Sequence, residues 1–466
     1  MNLAILWHQN DLRLDDNPAL VAAAAHYDGH VLPAFCFDRV EWAQLNPQTL
    51  AFRLETLQDL RRQYRVAGTD LLVIEGRPEL VLPKLASELQ AGEVFLHSRY
   101  TAPHRAMVTD VIGELEAGGI KTSQHWGDTL FDPESLPDEL RDPPWQFGEF
   151  QELIAAQGMP PKPVGRPTLA AVDAPFGPMP ALGDFDSKVD REHRSLLSGL
   201  EGGASQGLRR LKTFLQDGDH ARDYARKRDQ LLSQNATSRL SAYLAQGALS
   251  PRQVFHELKD YEKARVYNRS TRELTQELYQ REFFHLVALA KGEAVYALGG
   301  INATELKWDS DPEIFDRWRN GLTGWPFIDA HMRELAATGY MTFRGRQNVA
   351  CFFARDLEQD WRVGARYFET QLVDHEPCSN MGNWQRSAGV SPSPLSHRFS
   401  IRRQSMRYDK EARYIRQWVP ELSKLPTPTI HEMNGRDCSL ETGAFGVRLD
   451  EAYPRPISRK TWKKRV

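Results

Sequence analysis

Leu3-Ala4-Ile5-Leu6 and Val31-Leu32-Pro33-Ala34-Phe35-Cys36-Phe37 are short, apolar runs, and what lies between them decides the fold of the first part of this chain. Residues 18–26 carry apolar positions at helical spacing, opened by Asn17 as N-cap and Pro18 at the first helical position. Two more apolar runs, at 71–74 and 94–97, alternate with helix-period stretches at 48–67, 78–90 and 103–117. Strand–helix–strand alternation of this kind predicts an α/β domain, a parallel sheet with helices on both faces, over residues 1–130.

Moving outward, the alternation stops near Phe131. Pro143-Pro144, Pro160-Pro161, Pro163, Pro167, Pro175, Pro178 and Pro180 argue against long regular elements. Residues 131–206 therefore read as a Pro-rich connector, long enough that it should pack on the protein rather than hang free. After Gly207 the strand signals end, and stretches with Ile328, Met332 and Leu335 at helical spacing predict an all-α domain over 207–466.

The length of 466 residues suits two domains, and 41% hydrophobic with 26% charged residues is ordinary for a globular protein. No apolar run approaches the roughly 18 residues that span a bilayer, and Met1 to Trp7 lacks the basic flank of a signal peptide. The expectation is a cytoplasmic monomer with no membrane segment. The four cysteines, Cys36, Cys351, Cys378 and Cys438, form no CxxC pair, which argues against a disulfide framework and against zinc or iron–sulfur ligation. No metal site is expected. A net charge of −3 does not by itself point to nucleic acid, but basic residues gather between Arg398 and Arg416 and in Arg459-Lys460-Thr461-Trp462-Lys463-Lys464-Arg465.

Three stretches are more specific. The first is Asn10-Asp11-Leu12-Arg13-Leu14-Asp15-Asp16-Asn17-Pro18, directly after the first strand. The second is Thr237-Ser238-Arg239-Leu240-Ser241-Ala242-Tyr243-Leu244-Ala245-Gln246-Gly247, whose hydroxyls and backbone N–H groups at a helix start suit a pyrophosphate. The third runs from Gly324-Trp325-Pro326-Phe327 through Arg344-Gly345-Arg346-Gln347-Asn348 to Asp374-His375-Glu376-Pro377-Cys378-Ser379-Asn380-Met381-Gly382-Asn383-Trp384. Together they resemble the photolyase/cryptochrome family along essentially the whole chain. The Arg-Gly-Arg-Gln-Asn and Pro-Cys-Ser-Asn wording is similar to its DASH-type branch.

The resemblance implies an α/β antenna domain joined to a helical domain that binds FAD and absorbs blue light. It places Thr237, Ser238, Arg239, Leu240 and Ser241 at the FAD phosphates, with Tyr224 and Arg281 as further contacts. It makes Arg346 and Asp374 an ion pair beside the isoalloxazine, with Glu376 close by in place of the commoner aspartate. Asn380 would face flavin N5, where an amide is no ready proton donor. Trp384, Trp361 and Trp308 match the family's electron-transfer triad, indole being a side chain that can be oxidised transiently.

Departures gather where a DNA lesion would sit. Glu277 keeps the identity expected at a contact to a pyrimidine dimer, but Gln280 replaces a tryptophan, Arg386 an aromatic residue, and Phe343 the asparagine before Arg344. Loss of two stacking platforms removes about 1–3 kcal/mol per base. Phe343 and Gln347 lack the histidine pair of (6-4) photolyases. Pro103 and His104 replace the amide and carboxylate that hold a folate antenna, so the antenna pigment, folate or deazaflavin, stays open and none is expected to be held tightly. Two functions follow from the resemblance: light-driven splitting of cyclobutane pyrimidine dimers in DNA, single-stranded above all and with weakened activity, or a photoreceptor without repair that acts on an unidentified protein partner.

Overall fold

The computed structural model describes residues 3–144, 146–189, 200–392 and 399–458. Arg398 and the basic stretch from Arg459 to Arg465 lie outside them. Two compact units are present: the first takes in the described residues up to 189, those from 200 to 225 and Thr237–Glu293; the second takes in Arg226–Ala236 and those from Ala294 on.

The first unit is built on five parallel strands, β1 (Ala4–His8), β2 (Val31–Phe37), β3 (Leu72–Glu75), β4 (Glu93–His97) and β5 (Lys121–His125), in the order β3-β2-β1-β4-β5. Central β1 pairs Leu6 with Pro33 of β2 and with Phe95 of β4, and is buried throughout. That burial on both faces is why β1 and β2 read as continuous apolar runs. The sequence reading had four strands. It missed β5 because Lys121-Thr122-Ser123-Gln124-His125 is a half-exposed edge strand with no apolar periodicity.

Strand order reverses between β1 and β4, the place where open α/β sheets gather polar loops. There the Asp-Leu-Arg loop folds inward. Asp11 accepts from His8 at 2.9 Å and from Asn17 at 3.0 Å, and Asn17 meets His97 at 3.1 Å. Arg13 donates to the carbonyls of Asp16, Gly127 and Gly247 at 2.7–3.1 Å. Gly247 is obligatory: its φ is +63°, and a Cβ there would stand 1.9 Å from the Asn10 carbonyl oxygen.

The described residues from 131 to 189 belong to this unit. Asp16 and Val164 exchange hydrogen bonds, Ala170 donates to Gly29 at 2.9 Å, and Leu169 is buried in the core. This stretch also contains a ten-residue helix, Phe147–Ala156, with Phe150 and Ile154 buried. The prolines at 143–144 and 160–161 bound that helix rather than exclude it.

In the second unit helices follow one another without a strand among the described residues. Its core holds Trp318, Trp325, Phe352, Phe353, Trp361 and Trp384. No described helix is long and apolar enough to cross a membrane.

Candidate functional site

In the second unit two helices face one small cleft, about 70 Å³ in volume. The helix Phe343–Cys351 is capped by Thr342, whose side chain accepts from Gly345, and it turns Phe343, Arg346, Gln347 and Ala350 to the cleft, one helical stripe. The helix Pro377–Ala388 supplies Ser379, Asn380, Asn383, Trp384 and Ser387. Glu376 caps it: its two carboxylate oxygens accept from the N–H groups of Cys378 at 3.0 Å and Ser379 at 2.7 Å. A carboxylate is well placed at the positive end of a helix, so the glutamate for aspartate exchange keeps a structural task.

Arg346 and Asp374 are brought together across 28 residues. One nitrogen of Arg346 donates to both Asp374 oxygens at 2.8 and 2.9 Å, and another to the Met341 carbonyl at 2.9 Å. Asp374 is almost wholly buried, which its charge tolerates only with such a partner. Asn380 gives its amide N–H to the Ala365 carbonyl at 3.0 Å, leaving its oxygen as the acceptor. Gln347 accepts from Arg344 at 2.8 Å, and Arg344 also pairs with Asp229 and lies over the Tyr408 ring. Phe343 is 48% exposed at the cleft.

The three tryptophans differ in burial, Trp384 at 2%, Trp361 at 0% and Trp308 half-buried. Trp384 lies against the helix Trp361–Gln371, where a Cβ on Gly364 would stand 2.3 Å from its indole. The loops before Trp361 and after Trp308 are bridged: Asp360 donates to the Asp309 carbonyl at 2.9 Å. Sequence reading missed Trp318, which is fully buried with its ring 6.2 Å from that of Trp384 and 5.7 Å from that of Tyr367. It gave no role to Phe368, or to Ser379 and Asn383 within the quoted motif, although Ser379 and Asn383 share a helical face with Asn380 and Trp384.

The first unit carries the remaining residues. Arg210 takes the carbonyls of Thr237 and Ser238 at 2.9 and 2.8 Å. Since a trans peptide sets N–H opposite C=O, the N–H groups of Ser238 and Arg239 point the other way, a donor pair fit for an anion. Arg239 is left-handed, with φ +54°, and Leu240 donates to Ser238 Oγ at 3.3 Å just before the short helix Ser241–Ala245. Tyr224 donates to Glu277 at 3.4 Å. Glu277, Gln280 and Arg281 lie one turn apart on the helix Arg269–Lys291, and Arg281 donates to the Asp128 carbonyl. Thr101 Oγ1 lies 2.6 Å from Nδ1 of His104, just after Pro103.

Comparison with known proteins finds relatives along nearly the whole chain. Residues 274–465 match the model for the FAD binding domain of DNA photolyase, and residues 4–168 that for DNA photolyase. The chain is 38% identical to a Cryptochrome DASH of Natronomonas pharaonis, covering 98% of both chains, and 37% identical to one of Gloeobacter violaceus, covering 97% of this chain and 92% of that one. Among solved structures, a Synechocystis cryptochrome aligns with a TM-score of 0.91 at 34% identity, covering 98% and 96% of the two chains. A bacterial class III photolyase from Agrobacterium tumefaciens aligns at 0.84 and 28%, covering 98% and 94%.

Proposed function

This chain belongs to the photolyase/cryptochrome family, in its DASH branch, and carries the family's FAD-binding domain; on that premise we propose that it uses blue light to split cyclobutane pyrimidine dimers in single-stranded DNA. The observation that carries the reading is the cleft itself, where Arg346, Asp374, Asn380 and Trp384 converge. FAD, when bound, supplies light absorption and one-electron chemistry.

The chain's own residues do the rest. Ser238 and Arg239 N–H groups, with the hydroxyls of Thr237 and Ser241 and with Tyr224 and Arg281, hold phosphate. Arg346, fixed and neutralised by Asp374, presents an ion pair beside the ring site. Asn380 offers a carbonyl oxygen and no transferable proton, which protects a reduced ring from protonation. With FAD bound, Trp384 would be the electron donor to the light-excited ring, and Trp361 and half-buried Trp308 would pass a replacement electron inward from a reductant in solution.

Flipping a dimer out of a duplex costs a few kcal/mol and less from a single strand. With Gln280 and Arg386 in place of aromatic residues, Phe343, 48% exposed where Phe368 and Trp384 are buried, is the cleft aromatic open to recover that cost by stacking. Glu277 is the polar contact to the lesion. The same two replacements favour a second reading, a DASH-type photoreceptor without repair. Illuminating photoreduced protein with dimer-containing oligonucleotides separates them: dimer loss in single strands and little in duplex is expected. No loss in either leaves the photoreceptor, and efficient duplex repair overturns the stacking argument. Purified protein should also lack a stoichiometric pterin absorption band, as Pro103 and His104 do not offer the folate contacts.

A further inference from the structure

Arg386 lies on the helix Pro377–Ala388 three residues after Asn383 and seven after Ser379, both of which line the cleft. That spacing sets the three on one side of the helix. Its guanidinium is half-buried, Nε is sealed from solvent without a hydrogen-bond partner, and no carboxylate among the described residues reaches it. Burial alone acts on its charge and lowers its pKa.

Other half-buried arginines of the same unit have acceptors, backbone carbonyls for Arg317 and Arg416 and carboxylates for four more. Arg346 holds Asp374 at 2.8 Å, Arg333 holds Glu421 at 2.8 Å, Arg362 holds Asp360 at 2.8 Å, and Arg344 reaches Asp229 at 3.4 Å. Arg355, whose Nη2 donates to the Arg386 carbonyl at 3.3 Å, brings a second cation to this corner. Withdrawing an unpaired cation from water costs free energy, no carboxylate among the described residues offsets it, and an anion from outside would. Within the cleft Arg346 is already neutralised by Asp374, the Glu376 carboxylate is taken up by the N–H groups of Cys378 and Ser379, and Gln347, Ser379 and Asn383 are uncharged. Arg403 and Arg407, on the helix Ile401–Tyr408 of this unit, also meet no carboxylate among the described residues. Several cations left without acids suit a polyanion better than a single small anion.

We propose that Arg386 is the phosphodiester-binding residue of the cleft: it takes a backbone phosphate of single-stranded DNA beside the nucleotides the cleft admits. The assignment rests on reading the cleft as a nucleic-acid site. A planar guanidinium engages two phosphate oxygens at once, so the contact substitutes charge for the base stacking an aromatic residue would give at this position. It is blind to base and to damage, and it is weakened by salt.

The test is anisotropy of a labelled single-stranded oligothymidylate, with and without one cyclobutane dimer, bound to the FAD-loaded protein across a salt series. Arg386→Gln should weaken binding severalfold at low salt, equally for damaged and undamaged strands, and reduce the slope of log K against log salt by about 0.7, one single-strand phosphate contact. Arg386→Lys should keep the wild-type slope, and circular-dichroism melting of each variant confirms that it is folded. An unchanged slope in folded Arg386→Gln overturns the assignment and leaves the nucleic-acid reading standing, as does a loss confined to the damaged strand, which would mean stacking on the lesion. Failure of the wild-type protein to bind either oligonucleotide overturns both.

Discussion

Arg13 and Arg386 are both withdrawn from water, one in each compact unit, and their surroundings are opposite. Arg13 is 1% exposed and gives its N–H groups to three backbone carbonyls, with Asp128 at 3.9 Å. Arg386 is half-buried, its Nε has no acceptor and no carboxylate among the described residues pairs with it. A buried cation whose donors are all used holds two parts of the chain in register, here the Asp-Leu-Arg loop and Gly247. One whose donors are spare adds no cohesion and is available to a ligand. The sequence signature after the first strand is thus architectural, whereas the departure from the family wording at residue 386 leaves a cation unspent.

The contrast can be broken most directly at its satisfied end. Arg13→Met should strand the carbonyls and Asp128 and destabilise the protein by about 3–5 kcal/mol, read as a large fall in melting temperature or loss of soluble protein. A variant melting with the wild type would remove the architectural role.

Gly364→Ala comes next. Its Cβ would stand 2.3 Å from the Trp384 indole, and overpacking of this kind costs about 1–3 kcal/mol. The variant should also photoreduce its flavin more slowly, because Trp384 is displaced from the Trp361 helix. Normal stability with normal photoreduction would mean that the indole is not held there.

Glu282 tests whether satisfied groups in the first unit still respond to pH. It is fully buried, accepts from the N–H groups of Leu130 at 2.8 Å and Phe131 at 3.1 Å, and burial pushes its carboxyl up to about 7. Between the ordinary glutamate range near about 4.3 and that value, the folded protein holds a proton the unfolded chain has lost. Stability contributed by this group therefore falls as pH rises through the window. Glu282→Gln should flatten that part of the pH–stability curve; an unaltered curve would show that Glu282 does not titrate there.

The smallest effect is expected at the unsatisfied end. Arg386→Gln should leave the melting temperature unchanged or slightly raised, within about 0.5 kcal/mol, since no internal contact is lost. A destabilisation comparable to that of Arg13→Met would reveal a hidden partner and erase the contrast.

Much of this molecule was legible before its structure was known. Val31–Phe37 announced a strand because both faces are covered, while Lys121–His125 did not, because an edge strand keeps the polar residues of a loop. The helix Phe147–Ala156 was hidden by the prolines that bound it. In the cleft, the pairing of Arg346 with Asp374 could be read from motif wording. The packing of Trp318 on Trp384 could not, since no local pattern links residues 66 apart in the chain.

What the sequence by itself determined was the alternation of a sheet with helices, the helical second half, and the family whose FAD site the chain shares, all carried by local periodicity and unbroken motifs. The tertiary structure alone decided which charges are spent and which are spare. Arg13, Arg346 and Arg386 are the same residue type in equally specific contexts. Whether an acceptor arrives at hydrogen-bond distance depends on segments up to 234 residues away, as Gly247 is from Arg13, and the cost of burying a cation is fixed only once those segments have packed.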